Sequence, residues 1–181
     1  NHPGEIATLA AMAQPTVALV NNAQREHLEF MHTVEAVARE NGSVFASLPA
    51  EGVAVFPAGD AYTGLWRSLA AGRRVVTFGD GGDVACAQAT WGQGAWVVTL
   101  ATPQGEVVIH LHIAGRHNVT NALAAAACTL AAGAPLAAIA QGLNDFVPVK
   151  GRSRAFSMHC AGRDITVVDD TYNANPDSMR A

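Results

Sequence analysis

Lysine is almost absent from this chain of 181 residues, since Lys150 is the only one and the other basic residues are arginines. No Gly-Lys-Ser/Thr sequence surrounds Lys150, so the chain lacks the lysine of a phosphate-binding loop, and it has no GxGxxG motif either. Only 14% of the residues are charged and the formal net charge is -4. This composition excludes the basic surface with which proteins bind nucleic acids.

Cysteine is scarce too, and the three thiols, Cys86, Cys128 and Cys160, lie far apart. No CxxC pair occurs, which argues against a structural zinc site and favours buried, unreactive thiols in a reducing compartment. Long apolar runs and a secretory signal segment are absent from the sequence. No nucleophile-elbow serine occurs, which argues against an α/β-hydrolase type of enzyme.

What the chain does have is hydrophobic residues, which make up half of it in alternating strand and helix patterns. Short β-branched runs predict strands at 16–20, 52–56 and 74–78, and apolar spacing predicts helices at 5–13, 32–48 and 60–70. Asp60 is the predicted N-cap of the third helix, and Asn41-Gly42 weakens the second. Alternation of this kind predicts a mostly parallel sheet flanked by helices, in one α/β domain.

The second half of the chain predicts additional antiparallel structure. Three β-type runs at 84–91, 95–102 and 106–113 are separated by Gly-containing turns, which indicates β-hairpins attached to the main sheet. A helix is predicted over 119–132, with Asn118 as its cap and Gly133 as its stop, and another from Pro135 to Gln141. A final hairpin, turning at 161–163, ends in a buried strand that leads to Asp170.

Two groups of polar residues have the chemistry of a nucleotide site. Asn118 and Asn121 lie in the first turn of an Ala-rich helix, where free N–H groups and amide side chains suit an anion or an adenine edge. An ordinary polar helix start is the alternative, and spacing alone favours it. Asp170 follows a strand and could bind a ribose, or could simply form a turn.

Histidines supply the candidate metal ligands. His27, with Glu26 and Glu29, follows the strand 16–20 at the end where α/β sheets bind ligands, and could serve a divalent cation. A solvated helix start is an equally good interpretation of the same residues. His110 and His112 lie on one face of a strand without a third ligand, so an exposed strand face is favoured over zinc.

Five short sequence motifs occur in the order and spacing found in Mur ligases: NHPGEIA, ALVNN…HLEF, GRHNVTNALAAAA, PVKGRSR and DDTYNANPDSM. The chain therefore resembles that family over nearly its whole length. The words NHPGEI and YNANPDSM are most similar to those of the branch that adds D-Ala-D-Ala to UDP-MurNAc-tripeptide.

The resemblance implies an ATP-dependent amide ligase of peptidoglycan synthesis, cytoplasmic and monomeric, which uses ATP and Mg²⁺ and forms an acyl phosphate. UDP-MurNAc-tripeptide and D-Ala-D-Ala are the implied partners. Residues 1–175 correspond to the central ATP-binding domain of the α/β Mur ligase fold, without its phosphate loop, and 176–181 to the start of the hinge to a further domain. Such a fragment is expected to be inactive alone.

Site residues follow from the resemblance position by position. His27 matches the magnesium-ligand histidine, and Asn41 stands where many members carry a lysine that is carbamylated in use. The nucleotide-binding positions are Asn118 and Asn121 at the adenine, Arg152 at the phosphates or ribose, Asp170 at the ribose, and Tyr172, Asn173 and Asn175 at the hinge and nucleotide edge. Asn1 and His2 border the substrate.

Two other functions remain open at this point. A ligase similar to folylpolyglutamate synthetase shares the central fold, although NHPGEI and YNANP argue against it. The second open function is a non-catalytic nucleotide-binding module of the same fold, because the chain lacks the lysines that the family uses in catalysis.

Overall fold

The computed structural model describes residues 2–172 of the chain. Its strands are β1 Val17–Leu19, β2 Val53–Pro57, β3 Arg74–Phe78, β4 Ala85–Gly92, β5 Ala95–Thr102, β6 Gly105–Leu111, β7 Arg154–Cys160 and β8 Arg163–Asp169. Its helices are α1 Glu5–Ala13, α2 Leu28–Met31, α3 Val34–Gly42, α4 Thr63–Leu69, α5 Arg116–Ala131 and α6 Leu136–Asn144. A 3-10 turn, Ser43–Ser47, follows α3.

The main sheet is parallel, with strands in the order β1-β2-β3. The central strand β2 is buried on both faces, and its side chains divide by their period of two. Val53 and Val55 pack into one hydrophobic cluster with α5 and the strands β4–β6, whereas Ala54 and Phe56 pack into another with α3 and α4. The predicted α/β fold with a parallel sheet is confirmed.

The helix predicted over 32–48 is divided in the structure. The Thr33 hydroxyl caps α3 by accepting a hydrogen bond from the Ala36 N–H at 3.1 Å, and α3 gives way to the 3-10 turn at Gly42. A Cβ at Gly42 would lie 2.8 Å from Cδ1 of Trp66, a fully buried residue of α4. Glycine is therefore required here by close packing of two helices, at the place where the sequence predicted a weak point.

Both predicted side-chain caps are wrong. The helix α4 begins at Thr63, and Asp60 instead accepts a hydrogen bond from the Tyr62 N–H in the preceding turn, at 2.8 Å. The helix α5 begins at Arg116, before Asn118, because Gly115 adopts a positive φ of 89° and turns the chain earlier. Gly133, with a φ of 88°, does lie just beyond the end of α5 as predicted.

The strands β4, β5 and β6 form an antiparallel sheet of their own. A bridge between Phe78 and Val84 links the parallel sheet to the segment that leads into β4, so the hairpins are attached to the main sheet as expected. The helix α6 lies along β6, where the Asn144 side-chain oxygen accepts a hydrogen bond from the His110 N–H at 2.6 Å. The side chains of His110 and His112 are exposed, as predicted.

The hairpin β7–β8 is a separate two-stranded sheet. The prediction of a buried strand before Asp170 is wrong, since Ile165 and Val168 are 40% and 49% exposed. Cys160, at the tip of β7, is exposed as well, contrary to the expectation of a buried thiol. Apolar sequence predicts a strand here correctly, but a two-stranded sheet lacks the neighbours that would bury it.

Candidate nucleotide site

Three asparagine side chains connect the end of β1 to the start of α5. The Asn21 amide donates to Asn121 Oδ1 at 2.9 Å, and the Asn121 amide donates to Asn118 Oδ1 at 3.0 Å. Asn118 in turn donates to the Ala114 carbonyl at 2.7 Å. The two asparagines predicted from α5 are therefore neighbours on one helix face, and each has a fixed amide orientation.

The same network continues into the hairpin β7–β8. The Ala114 N–H donates to the Ser153 carbonyl at 3.0 Å, and the Ser153 N–H donates to Asp170 Oδ1 at 3.1 Å. Ser153 is buried, with 6% of its surface exposed, whereas Asp170 is exposed. The structure thus brings Asp170 and Asn118, which are distant in sequence, to the same edge of the molecule.

Arg152 and Tyr172 complete this edge. The Arg152 guanidinium carbon lies 4.0 Å from the centroid of the Tyr172 ring, a cation–π contact, and the Tyr172 N–H donates to the Gly151 carbonyl at 3.0 Å. Gly151 has a φ of 79°, and a Cβ there would lie 3.1 Å from the Tyr172 nitrogen. A side chain at position 151 would therefore push apart the two segments that carry Arg152 and Tyr172.

The neighbouring carboxylate, Asp169, has a structural role. Hydrogen bonds from the Thr171 hydroxyl at 2.7 Å and from the Gly151 N–H at 3.1 Å hold the pKa of Asp169 below its usual value. Both bonds are made to the charged form of the carboxylate, which they favour. Of the two adjacent acids, Asp169 closes the turn and Asp170 points to the network of asparagines.

An apolar pocket of about 250 Å³ lies beside Asn118 and Asn121. Its other walls are hydrophobic side chains, namely Leu111, Ile113, Ala122, Ala125, Leu143 and Phe146. Apolar walls with a few amide groups at one side suit a planar heterocycle, whose faces are apolar and whose edge makes hydrogen bonds. These residues fit an adenine ring.

A second, more polar cleft of about 500 Å³ opens at the carboxyl ends of β1, β2 and β3. Asn21, Asp60, Asp80, Arg116 and His117 are among its lining residues. Asn21 Oδ1 and His117 Nδ1 are buried and have no hydrogen-bond partner among residues 2–172. Buried polar atoms of this kind are normally satisfied, so both mark this edge as a place for a polar ligand or water.

His27 lies at the start of α2, exposed, with a positive φ of 53°. Residues 2–172 contain no group of three His, Cys, Asp or Glu side chains arranged to hold a metal ion, so His27, Glu26 and Glu29 do not form one. Asn41, at the position of the family lysine, donates to the Asn22 carbonyl at 3.2 Å. His27 as a magnesium ligand stays a prediction, which the described residues do not test.

His2 is held between two elements. Its ring Nδ1 lies 3.0 Å from Glu5 Oε1, and its ring centroid lies 4.1 Å from that of Phe30 in α2. Glu40 of α3 accepts hydrogen bonds from the Gly4 and Ile6 N–H groups, both at 2.9 Å. Asn1, Asn173 and Asn175, also predicted as site residues, lie outside the described part of the chain.

Sequence reasoning missed two of these residues, Ser153 and Glu40. Ser153 acts through its backbone, which no side-chain pattern reveals, although it is adjacent to Arg152 in the GRSR word. Glu40 follows Arg39 on a helix and looks like an ordinary solvated charge, since its partners lie 34 and 36 residues away.

No helix of residues 2–172 has both the length and the apolar character required to cross a membrane.

Comparison with known proteins agrees with this geometry. The family model described as the Mur ligase middle domain matches residues 1–129. The UDP-N-acetylmuramoyl-tripeptide–D-alanyl-D-alanine ligase of Escherichia coli K12 is 38% identical over the whole chain, which spans 40% of that protein. The chain thus covers less than half the length of this curated relative.

Solved structures give the same result. MurF from Acinetobacter baumannii superimposes with a TM-score of 0.90 and 36% identity, and the match covers 99% of this chain and 39% of that one. MurF from Thermotoga maritima, solved in complex with ADP, has a TM-score of 0.82, and the match covers 99% of this chain and 40% of that one. Because its identity is 23%, this structure supports the fold alone. Fold, site geometry and family model together show that this chain belongs to the Mur ligase middle domain family.

Proposed function

We propose that this chain is the nucleotide-binding central part of an ATP-dependent ligase that adds D-Ala-D-Ala to UDP-MurNAc-tripeptide in peptidoglycan synthesis. The observation that carries the proposal is the hydrogen-bonded network from Asn21 to Asp170, which joins three of the predicted nucleotide-binding residues, Asn118, Asn121 and Asp170. The name and 38% identity of the Escherichia coli relative support the choice of substrates.

In this proposal the base of ATP occupies the apolar pocket beside Asn118 and Asn121. Asn121 uses one of its two amide N–H groups in the network and can donate the other to the base, whereas the Asn118 amide nitrogen already contacts the Ala114 carbonyl and His117 Nε2, so Asn118 offers an acceptor oxygen. Asp170 accepts the ribose hydroxyls, and Arg152, exposed and held against Tyr172, lies where it can reach the ribose or phosphates.

The reaction follows from the proposed substrates. A tripeptide carboxylate oxygen takes the γ-phosphoryl group of ATP, and ADP leaves. The amine of D-Ala-D-Ala then attacks the acyl phosphate, which forms the amide and releases phosphate and a proton. Mg²⁺ supplies charge neutralisation on the transferring phosphoryl group. His27 is our candidate for one protein ligand, the others coming from ATP, water and the rest of the protein. Because the reaction consumes ATP, we propose a cytoplasmic location.

The test is phosphate release by the full-length protein that contains this chain. We expect release from ATP only when UDP-MurNAc-tripeptide and D-Ala-D-Ala are both present. Turnover with a folate and glutamate would instead indicate a ligase of the folylpolyglutamate synthetase type. ATP binding without turnover on any of these acceptors would indicate a non-catalytic nucleotide-binding module, and either result contradicts the proposal.

A further inference from the structure

The first turn of α1 is held by a residue from a different helix. Gly4, which precedes α1, has a φ of 90° and no side chain, so no side chain at its own N-terminus caps this helix. Glu40 takes that place from α3, because its two carboxylate oxygens accept separately from the Gly4 N–H and the Ile6 N–H. A carboxylate at a helix N-terminus satisfies free N–H groups and interacts favourably with the helix dipole.

This contact fixes more than a helix end. Glu5, between the two N–H groups that Glu40 binds, makes two contacts with His2: its carboxylate accepts from the His2 N–H at 3.1 Å and lies 3.0 Å from the ring Nδ1. His2 in turn lies against Phe30 in α2, the helix that begins after His27. A chain of contacts therefore runs from Glu40 through the first turn of α1 to the imidazole of His2 and on to α2.

The next residue of α3 makes a parallel connection. Asn41 donates to the Asn22 carbonyl, in the segment after β1 that also supplies Asn21 to the asparagine network. Two consecutive residues of α3 thus hold two different loops: Glu40 holds the loop before α1, and Asn41 holds the loop after β1. The positions of both loops relative to each other depend on the last turn of α3.

We propose that Glu40 is a positioning residue for the acceptor substrate: it holds the first turn of α1 so that His2 stays against α2 at the substrate edge of the site. This inference rests on the proposed function and on the family resemblance, which implies that His2 borders the substrate. Glu40 itself touches neither substrate nor reacting atoms, and its effect passes through Gly4, Glu5 and His2.

The chain offers a matched control on the same helix. Glu35 is an exposed residue of α3 that pairs with Arg39 at 2.8 Å, one turn away, and makes no hydrogen bond or ion pair with α1 among residues 2–172. Glu35→Ala and Glu40→Ala remove the same charge from the same helix. Glu40→Gln is the conservative variant, because its amide keeps one acceptor oxygen and loses the other.

The experiment uses the full-length protein and two readouts. In hydrogen exchange, we expect the Gly4–Ile6 amides to exchange about tenfold faster in Glu40→Ala, since two charge-assisted hydrogen bonds are lost. In kinetics, we expect the KM for UDP-MurNAc-tripeptide to rise about fivefold, which corresponds to about 1 kcal/mol of lost positioning, while the KM for ATP stays the same. Glu40→Gln should fall between wild type and alanine in both readouts.

Four results would overturn the proposal. Unchanged exchange at Gly4–Ile6 overturns the capping contact, and faster exchange with an unchanged KM for the tripeptide overturns the positioning role. An equal rise of both KM values, or the same changes in Glu35→Ala, also overturns it. Wild-type protein that neither binds nor ligates the tripeptide would contradict the proposed function instead, and the exchange comparison would still decide whether Glu40 holds α1.

Discussion

At the scale of single residues, Asp170 combines a structural contact with a proposed ligand contact. One carboxylate oxygen accepts from the Ser153 N–H, and the residue is exposed at the edge where Arg152 lies against Tyr172. An asparagine at position 170 could keep the contact with Ser153 and lose the charge, whereas an alanine would lose both. Comparing the two substitutions therefore distinguishes a role of Asp170 in holding the hairpin from a role in binding a ribose.

In the full-length protein, Asp170→Ala should raise the KM for ATP by about tenfold, the cost of one hydrogen bond to a charged group. Asp170→Asn should raise it less and leave thermal stability unchanged. The measurement is steady-state kinetics with ATP varied. Asp164→Asn is the control, since Asp164 lies on the same hairpin and contacts only His159 in the described structure. An unchanged KM in Asp170→Ala would return this acid to a turn-forming role.

Two of the thiols differ in environment and should differ in reactivity. Burial raises the pKa of the Cys128 thiol, whereas Cys160 is exposed. The thiolate is the reactive form, so at pH 8 iodoacetamide should modify Cys160 well before Cys128. Peptide mapping by mass spectrometry over a time course measures both rates. Equal rates at the two positions would contradict the described burial of Cys128.

At the scale of elements, the contact between α3 and α4 depends on a glycine. A Cβ at Gly42 would meet Leu69 Cδ1 at 2.6 Å and Trp66 Cδ1 at 2.8 Å, and Trp66 is fixed by its own hydrogen bond to the Ala38 carbonyl at 2.9 Å. Sequence reasoning recognised Asn41-Gly42 only as a helix-weakening pair. It could not show that a tryptophan from the next helix fills the space left by the missing side chain.

Gly42→Ala should lower the free energy of unfolding by about 1–3 kcal/mol, the usual cost of overpacking a core. Gly64→Ala is the matched control in α4, because a Cβ there meets nothing within 4 Å. That substitution should be neutral or stabilise by up to about 1 kcal/mol, since alanine favours a helix. Urea unfolding followed by tryptophan fluorescence measures both, and equal effects of the two substitutions would argue against this packing.

The attachment of the hairpin β7–β8 should depend on pH. The folded pKa of Asp169 is lowered by the Thr171 hydroxyl and the Gly151 N–H, so its contribution to stability is complete above the unfolded pKa, about 4, and is lost as pH falls through the folded pKa. Hydrogen exchange should therefore show residues 149–153 losing protection below pH 4 before the residues of β5 do. Simultaneous loss in both segments would contradict a local effect of Asp169.

At the scale of the whole molecule, the asparagine network joins the parallel sheet to α5 and, through Ser153, to the hairpin. The sequence predicted three of its members, Asn118, Asn121 and Asp170, because polar side chains at a helix start and after a strand are visible as a pattern. It did not predict their pairing, since the Asn21 and Asn121 partners are 100 residues apart and only the folded chain brings them together. The fold was easier to predict, because period-two burial in β2 and the Ala-rich stretch of α5 are local.

A double-mutant cycle tests this connection. Asn21→Ala and Asn121→Ala should couple by about 0.5–1.5 kcal/mol in the free energy of unfolding of this chain, since each removes the same hydrogen bond. Asn21→Ala with Thr129→Ala is the control pair, because the Thr129 hydroxyl bonds only within its own helix α5 in the described structure. Additive effects in the first pair would show that the two asparagines act independently.

The hydrogen bond between Asn144 and His110 has a consequence for association. A strand at the border of a sheet presents backbone N–H groups to which a strand of another molecule can add. In β6 the N–H of His110 donates a hydrogen bond to the side chain of Asn144, and α6 lies along the same strand. This covering by α6 and by the amide of its last residue should protect the β6 edge from edge-to-edge aggregation.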